Sequence, residues 1–112
     1  MDHRYLVVFI TAPTRDMGRQ IAHALVKGRL AACVNVLPAM DSIYRWAGKV
    51  HDEQEVLLVV KTRADLFPAL VPAVQALHPY DVPEIIALPI LEGHAGYLEW
   101  IDSATVDLDR LE

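Results

Sequence analysis

Lys49-Val50-His51-Asp52-Glu53-Gln54-Glu55-Val56-Leu57-Leu58-Val59-Val60-Lys61-Thr62 is the stretch that decides the fold. No proline or glycine interrupts it, and the run from Val56 to Val60 has the β-branched, apolar character of a buried strand. Fully extended, residues 49–62 reach about 45 Å. A folded chain of this size has a radius of gyration of only about 13 Å. Part of the strand must therefore project beyond its own body. Ala47-Gly48 offers a two-residue turn, which makes Ser42-Ile43-Tyr44-Arg45-Trp46 the partner strand of a long hairpin. Upstream, Pro38-Ala39-Met40-Asp41 predicts a bulge or bend between that segment and a strand over Leu30 to Leu37.

Working outward, Tyr5 to Ile10 reads as a strand closed by Thr11-Ala12-Pro13. Thr14 is the expected N-cap of a helix whose Met17, Ile21, Ala24 and Leu25 recur at helical spacing and which Gly28 can stop. Thr62-x-x-Asp65 resembles a capping box ahead of a second helix carrying Leu66, Phe67, Leu70, Val71, Val74 and Leu77. Pro68 fits its first turn, whereas Pro72 predicts a kink in its interior. His78 to Pro83 is a rigid loop, Glu84 to Leu88 a last core strand, and Gly93 to Ser103 a short helix. The expected architecture is α+β: a single domain over residues 1–112, ferredoxin-like in its β-α-β-β-α-β order, with an antiparallel sheet, a long hairpin and an extra C-terminal helix.

Two helices can cover only one face of such a sheet, and the other face should alternate to polar residues. Here Val7 and Phe9 alternate with Leu6 and Val8, and Leu57 and Val59 with Val56, Leu58 and Val60, so both faces are apolar. With 54% hydrophobic and 22% charged residues, the chain is not disordered and carries more apolar surface than a small monomer hides. Sheet-to-sheet packing of subunits in a closed ring accounts for both the second face and the projecting hairpin. The periodicity does not distinguish two subunits from three. No apolar run approaches the roughly 20 residues of a membrane span. Ten basic against fifteen acidic residues, a net charge of −5, give no field for nucleic acid. The start does not read as a signal peptide, and the single cysteine, Cys33, suits a reducing compartment, so a cytoplasmic location is expected.

Five scattered histidines form no HExxH and no i, i+4 pair. His78 stands apart, placed beside Tyr80 and near Asp81 and Glu84, where imidazole and carboxylates could converge on Cu(II) or Zn(II). A histidine capping a helix end fits the same sequence. Lys61 closes one apolar strand and Glu84 opens another, which would let them pair across the sheet or meet at a cleft between subunits. Tyr44-Arg45-Trp46 suits a ligand pocket or a neighbour's surface. Asp52, Glu53 and Glu55 read as a solvated hairpin face with weak attraction for cations. No GxSxG, P-loop or GxGxxG motif is present, and an enzymatic role is not expected.

Thr11-Ala12-Pro13, Arg29-Leu30-Ala31-Ala32-Cys33-Val34-Asn35, Ser42-Ile43-Tyr44-Arg45-Trp46-x-Gly48, Glu55-Val56 with Lys61-Thr62, and His78-Pro79-Tyr80-Asp81-Val82-Pro83-Glu84-Ile85 occur in order across the chain. Together they resemble the CutA divalent-cation-tolerance family, from about Val7 to Trp100. The resemblance implies a ferredoxin-like subunit in a homotrimer similar in plan to the PII signalling proteins, with a non-enzymatic role in divalent-cation, notably copper, binding and tolerance. A PII-like sensor or scaffold that holds a small anionic ligand or a protein partner is the alternative. The resemblance also places Tyr44, Trp46, Lys61, His78, Tyr80 and Glu84 around an inter-subunit cleft. In a family member with a proposed copper site, the ligands are a cysteine before Thr-Ala-Pro and two consecutive histidines before Pro-Tyr. Ile10, Leu77 and His78 hold those places here, so His78 alone retains a donor atom.

Overall fold

Tyr5–Ala12 forms the first strand, β1, followed by helix α1 at Arg15–Lys27, strand β2 at Cys33–Trp46 and strand β3 at Lys49–Arg63. Helix α2 follows at Phe67–Leu77, then strand β4 at Ile85–Pro89 and helix α3 at Ala95–Ala104. The computed structural model describes residues 3–108; residues 1–2 and 109–112 of the domain expected over 1–112 lie outside them. The sheet order is β2-β3-β1-β4 with every neighbour antiparallel, which is the expected ferredoxin-like arrangement.

Register explains the elongated shape. β3 pairs with β1 only from Val56 to Arg63, so residues 49–55 have β2 as their sole strand partner among the described residues. That outer hairpin stands about 23 Å beyond the four-stranded body at the usual strand rise, and the molecule measures 45 × 29 × 24 Å. β2 is one strand rather than two, and its register slips between Leu37 and Met40, where Pro38 cannot donate a ladder hydrogen bond. The strand begins at Cys33, three residues later than the apolar pattern implies. Leu30 and Ala31 are held by the end of α1 instead, through hydrogen bonds to the Leu25 carbonyl.

The core lies between the helices and one face of the sheet. Val8, Ile10, Leu58 and Val60 meet Ile21 and Leu25 of α1 and Leu70 and Val74 of α2, with Ile85 and Ala87 packed at the edge. Close approach of α1 to β3 depends on Gly18, where an added Cβ would lie 2.9 Å from Val56 Cγ2 and 3.2 Å from Leu58 Cδ2. The opposite sheet face is the apolar one that the two helices leave uncovered. Cross-strand partners share a face, so Leu37 and Leu57, then Asn35, Val59, Phe9 and Ile86, then Cys33, Lys61, Val7 and Leu88 form three rows on this side. Ile86 and Leu88 are each 52% exposed.

α1 begins and ends as expected, whereas the start of α2 is not as expected. α1 starts as foreseen, with Thr14 Oγ1 accepting from the Met17 N–H at 3.1 Å. At its other end Gly28 stays right-handed and Arg29 takes the positive φ of 60°, closing a paired turn in which Leu30 N–H donates to the Leu25 carbonyl and Arg29 N–H to that of Val26. Arg29 accepts that conformation because its carbonyl and guanidinium are tied to Val106 and Ser103. Asp65 does not cap α2. A 3-10 turn over Ala64–Leu66 precedes the helix, and Asp65 forms a two-pronged ion pair with buried Arg63 at 2.9 and 3.0 Å. α3 begins at Ala95, with His94 Nδ1 accepting from the Tyr97 N–H at 3.3 Å.

Candidate functional site

The outer hairpin and the loop after α2 enclose a cavity of about 660 Å³. Alternation along β2 puts Ser42, Tyr44 and Trp46 on one side of the hairpin, and their cross-strand partners Glu53, His51 and Lys49 share that side. Glu55, two residues further along β3, continues it. Ser42, Tyr44, Trp46 and Glu55 line the cavity from the hairpin, Thr11 closes it from the end of β1, and Tyr80, Asp81, Val82 and Glu84 form the loop wall. The bulge lies in β2 alone, so β3 runs unbroken and Glu55 shares a strand face with Leu57, Val59 and Lys61. The cleft thus opens on the side of the uncovered apolar face.

His78 fixes the loop. It ends α2 in an extended conformation, is buried, and uses both ring nitrogens on backbone groups. Nε2–H donates to the Thr11 carbonyl at 2.7 Å, and Nδ1 accepts the Tyr80 N–H at 3.1 Å. A carbonyl can only accept and an N–H can only donate, so these partners select one tautomer and leave no lone pair for a metal. The same loop packs the Tyr80 ring against His78, with centroids 4.8 Å apart. Tyr80 Oη then donates to Glu55 Oε2 at 3.3 Å. Burial, reinforced by the Glu55 charge, pushes the Tyr80 phenol from 10.0 up to about 12, so it remains a donor at neutral pH. Tyr44 stacks on His51 at 5.1 Å and donates to Glu53 at 3.0 Å; its own phenol is also raised, by burial first and Glu53 second.

Four of the six sequence-derived residues, Tyr44, Trp46, Tyr80 and Glu84, line the cavity together. His78 stands behind it as the support of Tyr80. Lys61 is elsewhere: six residues along β3 from Glu55 place it about 20 Å away, and its ammonium donates to Asn35 Oδ1 on β2. Lys61 and Glu84 are therefore not brought together within one subunit. Glu55 was hidden in an acidic run that reads as solvated, yet it is only 6% exposed. Its even spacing from Leu57 and Val59, two and four residues, puts it on their strand face and is the signal that would have set it apart from Asp52. Among the described residues no group of three or more His, Cys, Asp or Glu is placed to hold a metal ion.

Residues 6–104 match the family described as CutA1 divalent ion tolerance protein. The chain belongs to the CutA1 family. It is 57% identical over 99 residues to the divalent-cation tolerance protein CutA of Thermus thermophilus, covering 88% of this chain and 96% of that protein. It is 48% identical over 100 residues to the chloroplastic CutA of Arabidopsis thaliana, covering 89% of this chain but 55% of that protein. The chain thus spans nearly all of the bacterial relative and about half of the plant one. The solved structure of the divalent cation tolerance protein from Thermus thermophilus superposes with a TM-score of 0.89 at 55% identity, over 91% of this chain and 99% of that one. The CutA1 name describes ion tolerance and specifies no reaction.

Proposed function

We propose that this CutA1 chain is a cytoplasmic, non-enzymatic homotrimer that binds divalent cations, Cu(II) foremost, at the cleft between the outer hairpin and the His78 to Glu84 loop. The observation that carries the reading is the sign of the cleft. Glu55, Asp81 and Glu84 line it, and no basic side chain does so among the described residues. Carboxylate oxygens suit divalent cations, and for a given donor set Cu(II) stands highest among the first-row ions. Ile10 and Leu77 carry no donor atom and the His78 ring is spent on backbone, so binding is weak and made by carboxylates and water. The half-exposed Phe9, Val59, Ile86 and Leu88 face supplies an apolar surface for assembly, and the family resemblance supports three copies.

An anion at this cleft, as in a PII-like sensor, would meet three carboxylates. Arg45, which that reading needs, lies on the opposite side of the hairpin from Tyr44 and Trp46. Calorimetric titration with Cu(II) is expected to give saturable heat that weakens several-fold in Glu84→Gln. Absence of saturable heat, or an unchanged isotherm in Glu84→Gln, refutes the metal reading. Sedimentation is expected to show a three-subunit mass, lost in Val59→Asp because a carboxylate on the apolar face must be desolvated on assembly. A wild-type monomer would refute the ring.

A further inference from the structure

We infer that the outer groove of α1 docks an acidic amphipathic helix of a partner protein, with carboxylates four residues apart on Arg19, His23 and Lys27 and an apolar side chain against Leu77. The inference goes beyond the cation cleft and concerns the other side of the molecule. α1 and α2 cover the sheet face opposite the one proposed for assembly, so the groove on their outer surface faces away from that assembly.

Charge carries the argument. Residues 15–29 hold four of the ten lysines and arginines of the chain, Arg15, Arg19, Lys27 and Arg29, but only Asp16 of its fifteen acids. In a chain of net charge −5, α1 therefore reverses the sign of the local field. Arg15, Arg19, His23 and Lys27 follow one another at intervals of four, a line with no acid in it, whereas exposed helices gain from acid–base pairs at that spacing and lose from like charges. Nothing in the subunit offsets the line. The ion pairs among the described residues are Arg4 with Asp102, His51 with Glu53 and Arg63 with Asp65, and the Arg15, Arg19, His23 and Lys27 side chains have no partner.

Geometry selects the occupant. Arg19, His23, Ala24 and Lys27, with Leu77 from α2, line a groove of about 750 Å³, and each of them is exposed. Successive members of the basic line are about 6 Å apart along the helix, and Arg19 to Lys27 spans about 12 Å. A single phosphate or carboxylate reaches one of them, and one exposed ion pair is weak. A second helix with acids at every fourth position repeats the spacing and engages all three together. Leu77 is 42% exposed and α2 has no charged residue from Phe67 to Leu77, so the wall beside the basic line is apolar. A charged line next to an apolar wall is what an amphipathic helix complements. Asp16, at the N-terminal end of the groove, sets the direction by repelling an acid of the partner there. The net charge of −5 opposes approach to an anionic membrane, whereas a helical segment is small enough to meet α1 alone.

The test uses the full chain and the fluorescence anisotropy of a labelled peptide of four Glu-Leu-Ala-Ala repeats, set against a scrambled peptide of the same composition whose acids fall on every face. Saturable binding of the patterned peptide is expected, at least five-fold tighter than that of the scrambled one. Charge reversal in Arg19→Glu with Lys27→Glu should weaken it at least ten-fold, and Leu77→Ser at least three-fold, with the wild-type sedimentation mass and Cu(II) isotherm retained. All three positions are exposed, so folding does not depend on them. If the reversal nonetheless alters the mass, Arg19→Gln with Lys27→Gln replaces it, and a loss of at least three-fold is expected. Absence of saturable binding, equal binding of the two peptides, or a charge variant that binds as wild type does overturns the inference. Binding to phosphatidylserine vesicles that the reversal abolishes, with the patterned peptide unbound, overturns it as well.

Discussion

Replacing Gly18 with alanine sets two opposed effects against each other at the contact between α1 and β3. Alanine in a helix interior is worth about 1 kcal/mol over glycine. The added Cβ would stand 2.9 Å from Val56 Cγ2 and 3.2 Å from Leu58 Cδ2, well inside the roughly 3.5–4.0 Å at which carbon atoms rest. Val56 is 4% exposed, Leu58 is fully buried, and a β-branched valine has little rotamer freedom with which to yield. Overpacking of this kind costs about 1–3 kcal/mol. The net expectation is a loss of about 1 kcal/mol. Val56→Ala alone should cost about 2 kcal/mol for two buried methyl groups and the void they leave. In the double variant the methyl group introduced by Gly18→Ala occupies that void and the propensity gain returns, so the pair should cost about 1 kcal/mol rather than about 3. A coupling of about 2 kcal/mol follows. Urea denaturation at matched subunit concentration measures it, since assembly makes stability depend on concentration. A Gly18→Ala protein that gains stability, or a cycle additive within about 0.5 kcal/mol, would show that the helix does not press on the sheet as described.

Two further outcomes follow from local geometry. Ala47 turns the hairpin with φ of 52° beside Gly48 at 77°; a left-handed alanine costs about 1–2 kcal/mol, so Ala47→Asn should raise stability by about 1 kcal/mol, and a lowered melting temperature refutes it. The Tyr80 phenol keeps its proton to about pH 12 while the unfolded chain releases it near 10.0. Its contribution to stability is therefore complete below pH 10.0 and lost as pH rises through about 12. An ultraviolet difference titration of wild type against Tyr80→Phe should show that late midpoint, and Glu55→Gln should move it down part of the way. A Tyr80 midpoint at the ordinary value would refute the account.

The elements that were legible in the sequence are those in which local pattern and tertiary demand agree. Alternation and length exposed the hairpin, Thr14 announced α1, and Pro38 announced the break in β2. Asp65 misled, because a buried arginine two residues earlier competes for its carboxylate more strongly than an exposed helix end does. Gly28 ends α1 as expected, and contacts of Arg29 with the C-terminal segment let that residue rather than the glycine take the left-handed position. At the cleft, Tyr44, Trp46, Tyr80 and Glu84 are marked by the family motifs, whereas His78 fitted either a ligand or a helix-end cap, and in the structure it ends α2 with both ring nitrogens on backbone groups.

By itself, the sequence determined the ferredoxin-like order, the length of the hairpin, the apolar second face and membership of the CutA1 family, since periodicity and ordered motifs are properties of the chain read along its length. Only the tertiary structure decided which acid is buried, which histidine nitrogens are spent and that Lys61 is far from Glu84. Those depend on register and on loop-to-strand contacts between residues such as His78 and Thr11, 67 positions apart. Glu55 differs from Asp52 in no chemical respect that a sequence displays. Its strand face and the loop that closes over it make it a buried side chain held by Tyr80.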